Sequence, residues 1–410
     1  MEEWKEYQLK DVTTILGDGL HGTPKYDENG TVFFINGNNL VDGKIEIKDS
    51  TKRVSEYEAN KYRKNLTPRT ILVSINGTIG NVAKYKGEAC ILGKSACYFN
   101  VADNFDLNFI YYVIASQQFK DTITHLATGT TIKNVSLETM RNYSFMAPSI
   151  NEQKRISSIL SSFDDKIELN RRINDNLEQQ AQALFKSWFV DFEPFRDDEF
   201  IDSELGKIPK GWEIGTIEDL CQNIASGSTP SSMNQEYYNG EIKWFTTKEL
   251  KDSFLIDSEK HISDEGHKNS STKMFPRGTV LMAIYAAPTV GRLGILTSDA
   301  TFNQAAVGLN PKQEIGSNYV FLLLKKERDN FNNLAIGAAQ QNLSVKFVKT
   351  YPIIIPSKKV IVDFNVLVNP FFDRISLLSK EIEALTGTRD TLLPKLMSGK
   401  LRISEIEKEK

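Results

Sequence analysis

The chain has 410 residues, 40% hydrophobic and 25% charged, which is globular usage for two or three domains and excludes a disordered or collagen-like chain. Its 50 Lys and Arg against 53 Asp and Glu leave a net charge of -3, so bulk charge does not mark a nucleic-acid binder. No apolar run approaches the roughly 18 residues of a membrane span, the charged start Met1-Glu2-Glu3-Trp4 has no signal-peptide stretch behind it, and Cys90, Cys97 and Cys221 are too scattered for a disulfide framework. No membrane partner is expected, and the expected compartment is the cytoplasm.

Residues 1–150 mix short strand-like runs, such as 31–35 and 70–75, with polar loops bounded by Gly, Asn and Pro. Residues 107–119 read as a helix. The loops carry side chains that hydrogen-bond base edges: Thr23, Lys25, Asn36, Asn38, Asn76, Thr78, Lys133 and Asn134. Residues 51–70 concentrate Lys52, Arg53, Lys61, Arg63, Lys64 and Arg69 against only Glu56 and Glu58, a cluster suited to tracking phosphates.

Residues 151–188 follow a heptad. Ile156, Leu160, Phe163, Ile167, Asn170, Asn174, Leu177, Ala181, Leu184 and Trp188 alternate spacings of four and three, the seam of a coiled coil. The two asparagines on that seam predict a fixed register or partner. Residues 189–211 read as an acidic linker. A second strand-and-loop segment fills 212–356, with a strand expected at 279–284, a helix at 316–327, and Ser228, Thr229, Thr246, Thr247, Lys248, Asn303, Gln304, Gln340 and Gln341 as its candidate base-contacting residues. Residues 357–403 hold a second seam: Phe364, Val368, Phe371, Ile375, Leu378, Ile382, Leu385, Arg389, Leu392 and Leu396. Pro370 and Gly387 are expected to weaken that helix locally.

The two halves are one unit repeated. Trp4 recurs at Trp212, Pro68-Arg69 at Pro276-Arg277, Asn134 and Ser136 at Asn342 and Ser344, Tyr143 at Tyr351 and Pro148 at Pro356, always 208 residues apart. The helical seam survives the same shift. Two helices of one register predict pairing with each other. The fold class expected is therefore α+β (mixed α/β), with a pseudo-twofold repeat.

Catalytic patterns are missing. Gly93-Lys94-Ser95 ends like a phosphate loop, but Glu88 stands where its first glycine belongs, so it reads as a turn. Asn369-Pro370-Phe371-Phe372 resembles an amino-methyltransferase site only faintly and lies in the helical seam. Four dispersed histidines (His21, His125, His261, His267) lack metal-ligand spacing, and no metal site is expected.

Several segments together resemble the specificity subunit of type I DNA restriction-modification systems, across nearly the whole chain. Glu204-Leu205-Gly206-Lys207-Ile208-Pro209-Lys210-Gly211-Trp212 looks like the lead-in to a second target-recognition domain. Ala183-Leu184-Phe185-Lys186-Ser187-Trp188-Phe189-Val190-Asp191-Phe192 looks like the end of the first long helix, and Arg389-Asp390, Leu392-Leu393-Pro394-Lys395-Leu396, Ser398-Gly399 and Leu401-Arg402 together look like the C-terminal signature. Pro148, Glu152, Gln153 and Ile156 resemble the start of the central helix.

The resemblance implies two tandem target-recognition domains held apart by two long helices forming an antiparallel coiled coil. It implies a chain without catalysis or cofactor of its own, whose partners are double-stranded DNA with a bipartite site, two modification (methyltransferase) subunits and restriction subunits. S-adenosylmethionine would belong to the modification subunits, and ATP and Mg to the restriction subunits. The subunit and coil interface is expected at Ile156, Leu160, Phe163, Ile167, Leu177, Leu184, Trp188, Phe364, Phe371, Ile375, Leu378, Ile382, Leu385 and Leu392. The rival readings are a single-chain methyltransferase or nuclease, separated by a methylation assay on this chain alone, and a protein scaffold, separated by salt-dependent DNA binding.

Overall fold

The structure is a computed structural model that describes residues 4–129, 132–285, 289–336, 342–401 and 403. The chain forms two compact units, 1–166 with 385–410, and 167–384. The boundary between them falls inside each long helix rather than at the helix ends where the sequence reading divides the chain.

In the first unit the strands are β1 (Lys5–Gln8), β2 (Thr13–Asp18), β3 (Val32–Ile35), β4 (Leu40–Val41), β5 (Lys44–Ile45), β6 (Arg53–Val54), β7 (Thr70–Ser74), β8 (Val82–Lys84), β9 (Cys90–Leu92), β10 (Ala96–Val101) and β11 (Ser144–Ala147). An antiparallel sheet runs in the order β2-β10-β7-β8. A second sheet, β6-β3-β9, contains the parallel pair β3 and β9, while β1 pairs with β11. All of β10 is buried, as a central strand covered on both faces must be. Helices Leu107–Ala115 and Gln117–His125 pack Phe109, Ile110, Phe119 and Ile123 onto that sheet.

The second unit repeats this plan. Its strands are β12 (Phe200–Ser203), β13 (Gly206–Pro209), β14 (Glu213–Thr216), β15 (Cys221–Ser226), β16 (Ile242–Phe245), β17 (Ser253–Leu255), β18 (His261–Ile262), β19 (Val280–Ala283), β20 (Leu293–Leu296), β21 (Thr301–Phe302), β22 (Ala306–Pro311) and β23 (Pro352–Ile355). The order β15-β22-β19-β20 matches β2-β10-β7-β8, β18-β16-β21 matches β6-β3-β9, and β14-β23 matches β1-β11. The units differ where β17 adds to β20 in parallel in the second and β4 pairs with β5 in the first. Even the caps recur: Ser136 Oγ accepts from the Thr139 amide and Ser344 Oγ from the Phe347 amide, both at 3.0 Å.

The long helices are Ile150–Phe189 and Lys358–Met397, 40 residues each, or about 60 Å at the rise of an α-helix. Within the second unit they run antiparallel. Asn170 Nδ2 donates to Glu381 Oε2 at 3.0 Å, Asn174 Nδ2 to Ser379 Oγ at 3.3 Å, and Phe189 meets Phe364 with ring centroids 4.8 Å apart. Within the first unit Arg389 Nη1 donates to Asp164 Oδ1 at 2.7 Å. The second helix continues through Pro370 and Gly387.

The seam residues do more than pair helices. Ile156 and Leu160 enter the first unit's core beside Leu9 and Phe109, and Leu396 joins them. Phe364 lies in the second unit's core with Phe185, Phe189 and Tyr319. Ile167, Ile375 and Leu378 are buried, whereas Phe163, Leu177, Leu184, Trp188, Phe371, Ile382, Leu385 and Leu392 are half-buried. A helix clamped against a sheet buries more of its girth than a two-stranded coil would.

The stretch read as a linker carries structure. β12 and β13 form a hairpin, and Phe192 and Phe195 set their rings against Trp212 at 5.6 and 5.1 Å. Its acidic residues hide an aromatic anchor.

One charged cluster braces the second unit. Asp252 sits at φ +59° and accepts from Arg328 Nη1 and Nη2 at 2.6 and 2.5 Å and from the Leu293 amide at 3.0 Å. Lys325 lies 3.7 Å away. Burial alone would raise the Asp252 carboxyl, but the Arg328 bonds, Lys325 and the Leu293 amide outweigh it and hold it below the usual range. A depressed folded-state pKa gives stability present above the unfolded value near 4 and lost as pH falls through the folded value. Asp252→Asn should therefore lower the urea midpoint at pH 7 and flatten its decline below pH 4. An acid limb unchanged from that of the parent protein would refute this role.

Candidate nucleic-acid interface

Strand registers decide which loops meet. β3 and β9 are parallel, with Ile35 beside Leu92, so their C-terminal ends share an edge. β10 begins opposite the ends of β7 and β2, with Ala96 beside Ser74 and Cys97 beside Asp18. The loops after β2, β3 and β7 and the β9–β10 turn therefore converge. Hydrogen bonds lock them together: Leu20 N to Leu92 O at 2.7 Å, Lys94 N to Leu20 O at 3.0 Å, and Ile75 N to Ser95 O at 3.0 Å. Gly77 N donates to Lys133 O at 3.2 Å and Val135 N to Ile75 O at 2.8 Å, which adds residues 132–135 to the same edge.

The second unit builds this edge from the same bonds. Ser228 N donates to Phe302 O and Asn303 N to Phe245 O, each at 2.9 Å, and Leu343 N to Ile284 O at 2.8 Å. The turns are capped alike: Asn36 N donates to Asn39 Oδ1 at 3.0 Å, and Thr246 N to Glu249 Oε2 at 2.7 Å.

The candidate residues divide into those that build the edge and those that project from it. Asn36 Oδ1 accepts from Ser95 Oγ at 3.0 Å, and the Thr246 hydroxyl donates to Glu249 Oε2 at 2.9 Å. Asn76 Nδ2 reaches Asn134 Oδ1 at 3.4 Å, Thr229 donates to Gln304, and Ser228 Oγ meets Ser271 Oγ at 2.7 Å. Asn303 Oδ1 is buried, and Thr247 is half-buried. Thr23, Lys25, Asn38, Thr78 and Lys133 are exposed on the first edge and Lys248 on the second, where Thr229 and Gln304 are also exposed although bonded to each other. Lys25 is tethered by its amide, which donates to Glu58 Oε1 at 2.9 Å and, with Lys61, holds that carboxyl below its ordinary range. Gln340 and Gln341 lie outside the described residues.

The basic run over 51–70 is partly engaged within the fold. Arg69 donates to the carbonyls of Val101, Ala102 and Phe105 at 2.8, 2.8 and 2.7 Å, so its guanidinium closes a loop instead of facing solvent phosphate. Lys61 pairs with Glu58 at 2.7 Å and Arg63 with Glu56 at 2.6 Å. Lys52 is exposed beside the edge, its carbonyl accepting from Phe34 N at 2.9 Å. Arg53 is one residue further back, with its guanidinium 5.0 Å from the Phe33 ring centre. The cation the sequence reading passed over is Lys94. Its turn resembles a broken phosphate loop, yet it stands exposed in the middle of the edge. Only the strand registers reveal that position.

The edge holds no thiolate chemistry. All three cysteines are buried, and burial pushes the thiols of Cys90 and Cys221 up to about 12. Among the described residues no group of three or more His, Cys, Asp or Glu is placed to hold a metal, and no helix is long and apolar enough to cross a membrane.

Comparison with known proteins bears on these edges. Residues 1–179 and 209–386 each match the family described as type I restriction modification DNA specificity domain. The MjaIX specificity subunit of Methanocaldococcus jannaschii is 27% identical, over 99% of this chain and 95% of its own. The HindI specificity subunit of Haemophilus influenzae is 25% identical, over 98% and 100%. The crystal structure of a type I restriction-modification S subunit from M. genitalium shares the fold, with a TM-score of 0.55 at 21% identity over 96% of each chain.

The two kinds of cation should behave differently. Lys94→Ala should weaken duplex binding and reduce the slope of log affinity against log salt by about 1. Arg69→Ala should leave the slope intact and cost about 2 kcal/mol of stability, measured by urea unfolding, because it strips three carbonyls of a charged donor. A slope that falls with Arg69→Ala and holds with Lys94→Ala would reverse the assignment.

Proposed function

The chain belongs to the type I restriction-modification DNA specificity family, and from that premise we propose that each loop edge reads one half of a bipartite duplex site. The paired helices set the distance between the halves and dock two modification subunits. The chain directs adenine methylation by those subunits and, with restriction subunits added, cleavage. S-adenosylmethionine is held by the modification subunits, and ATP and Mg by the restriction subunits, with no cofactor on this chain.

One observation carries this reading: the same edge, with the same interlocking main-chain bonds, occurs once in each unit. Exposed Thr, Asn, Gln and Lys side chains on short, braced turns suit base edges and phosphates in combination. At matched turn positions the side chains differ between the edges, Asn38 and Lys94 on one against Lys248 and Gln304 on the other, as two unlike half-sites require. Paired helices transmit a fixed separation because their seam is polar at Asn170 and Asn174, which penalises slippage of the register.

Two experiments test the reading. Replacing residues 1–150 with another recognition domain should change one half of the methylated site and leave the other intact, as mapped by methylation sequencing. Changes in both halves would overturn modular reading. Adding one heptad to both helices, beside Asn174 and Ser379, lengthens the pair by about 10 Å. The spacer between half-sites should grow by about three base pairs, and an unchanged spacer would remove the helices from the role of ruler.

A further inference from the structure

Each unit holds a cavity away from its loop edge, and the two are the same cavity. In the first unit it measures about 590 Å³ and in the second about 220 Å³. Each is floored by the strand that follows the polar edge, where Tyr143 and Met146 in one correspond to Tyr351 and Ile354 in the other. Each is walled by the end of a long helix, with Leu393 and Met397 in one and Phe185 and Phe189 in the other. All four pairs stand 208 residues apart, as do Ala115 and Leu323 on the third wall. The volumes follow from the substitutions. Ala115 for Leu323, and Leu393 and Met397 for two phenylalanines, leave the first cavity larger.

We infer that these cavities are a duplicated docking socket, in which two copies of one partner polypeptide each seat an apolar side chain. That the partner is the modification subunit rests on the function proposed above. Three features favour this occupant. The socket is present twice on one chain, related by the repeat, which matches a partner bound in two equivalent copies. Its rim exposes apolar side chains, with Met146 45% accessible in one unit and Leu205 44% in the other. Its carboxylates are already engaged: Glu327 accepts from Tyr351 Oη and Asn330 Nδ2 at 2.7 Å, and Arg389 donates to Asp390 at 2.7 Å. The recognition left is apolar burial rather than orientation of a small polar ligand. The helical wall also continues the helices that the proposed function assigns to subunit docking. The occupant is an exposed Leu, Met or Phe on a partner helix, and the larger cavity accepts more of it.

The test uses the complete methyltransferase complex, with copies of the modification subunit counted by native mass spectrometry across a dilution series. Ala115 and Met146 are exposed, so Ala115→Trp and Met146→Glu alter the first socket without touching the core. Each should weaken one modification subunit at least tenfold and leave a complex with a single copy. Ile354→Glu, at the repeat position of Met146, should release the other copy. If it lowers the thermal midpoint, Leu205→Glu on the same rim replaces it. Met146→Glu combined with Leu205→Glu should lose both copies while an unchanged thermal midpoint reports an intact fold. Folded variants that keep two copies at parental affinity overturn the socket alone. A parental chain that binds no modification subunit overturns the socket and the proposed function together.

Discussion

Neither strand-rich segment, 1–150 or 212–356, closes its core from its own residues. The first needs Leu396 and Ile403, from the far end of the chain, against Leu9, Phe109 and Leu160. The second needs Ala181, Phe185 and Phe189 from the first long helix against Tyr319 and Phe364. Helix pairing therefore precedes everything else in the architecture. It brings distant segments into each core, and the sheets that aim the loops are completed only when the helices are in place. Contacts this distant in sequence carry a large closure entropy, so folding of the units is coupled to formation of the pair.

The polar seam explains why two such long helices settle in one register. Apolar seams tolerate sliding by a heptad, since leucine replaces leucine at little cost. Asn170 is fully buried and donates to Glu381, and a slip would leave that amide without an acceptor. A buried unmet donor costs on the order of 1–3 kcal/mol, enough to select one alignment from many near-equivalent ones. The same two asparagines that lower the stability of the pair make its length a defined quantity.

The repeat was fully legible in the sequence because it left rare residues at a constant offset. Trp4 and Trp212, and the serine caps Ser136 and Ser344, mark equal elements by residue type and spacing alone. The polar loops were legible as polar, but not as one surface. Nothing local says that Lys94, Thr23, Asn38 and Thr78 share an edge, since that follows from strand order β2-β10-β7 and from the parallel pair β3 and β9. Charge alone did not show which residues are engaged within the fold. The run 51–70 looked like a phosphate track, although Glu56 and Glu58 lay close enough to claim Arg63 and Lys61. Arg69 was taken by carbonyls more than thirty residues away, a use no local pattern records. The acidic run after residue 190 hid Phe192 and Phe195, whose rings find Trp212.

Duplication gives this molecule a separation of duties that a single domain could not support. The repeat holds main-chain bonds, caps and helix register constant, and these are the features that place each edge. Side chains such as Asn38, Lys94 and Lys248 are exposed on the edges, so they differ between the units without disturbing either core. Thr78 and Lys248 can change freely, whereas Asn39 and Glu249 cannot, because their carbonyl and carboxylate oxygens accept from the amides of Asn36 and Thr246 and cap the turns that hold the others in place. Net charge near zero fits the same division. On the proposed function cations are needed where the edges meet phosphate, while Lys61, Arg63 and Arg328 are paired with carboxylates of their own unit. On that function, sequence reading is assigned to a few exposed side chains on a scaffold whose main-chain bonds and caps hold them in place.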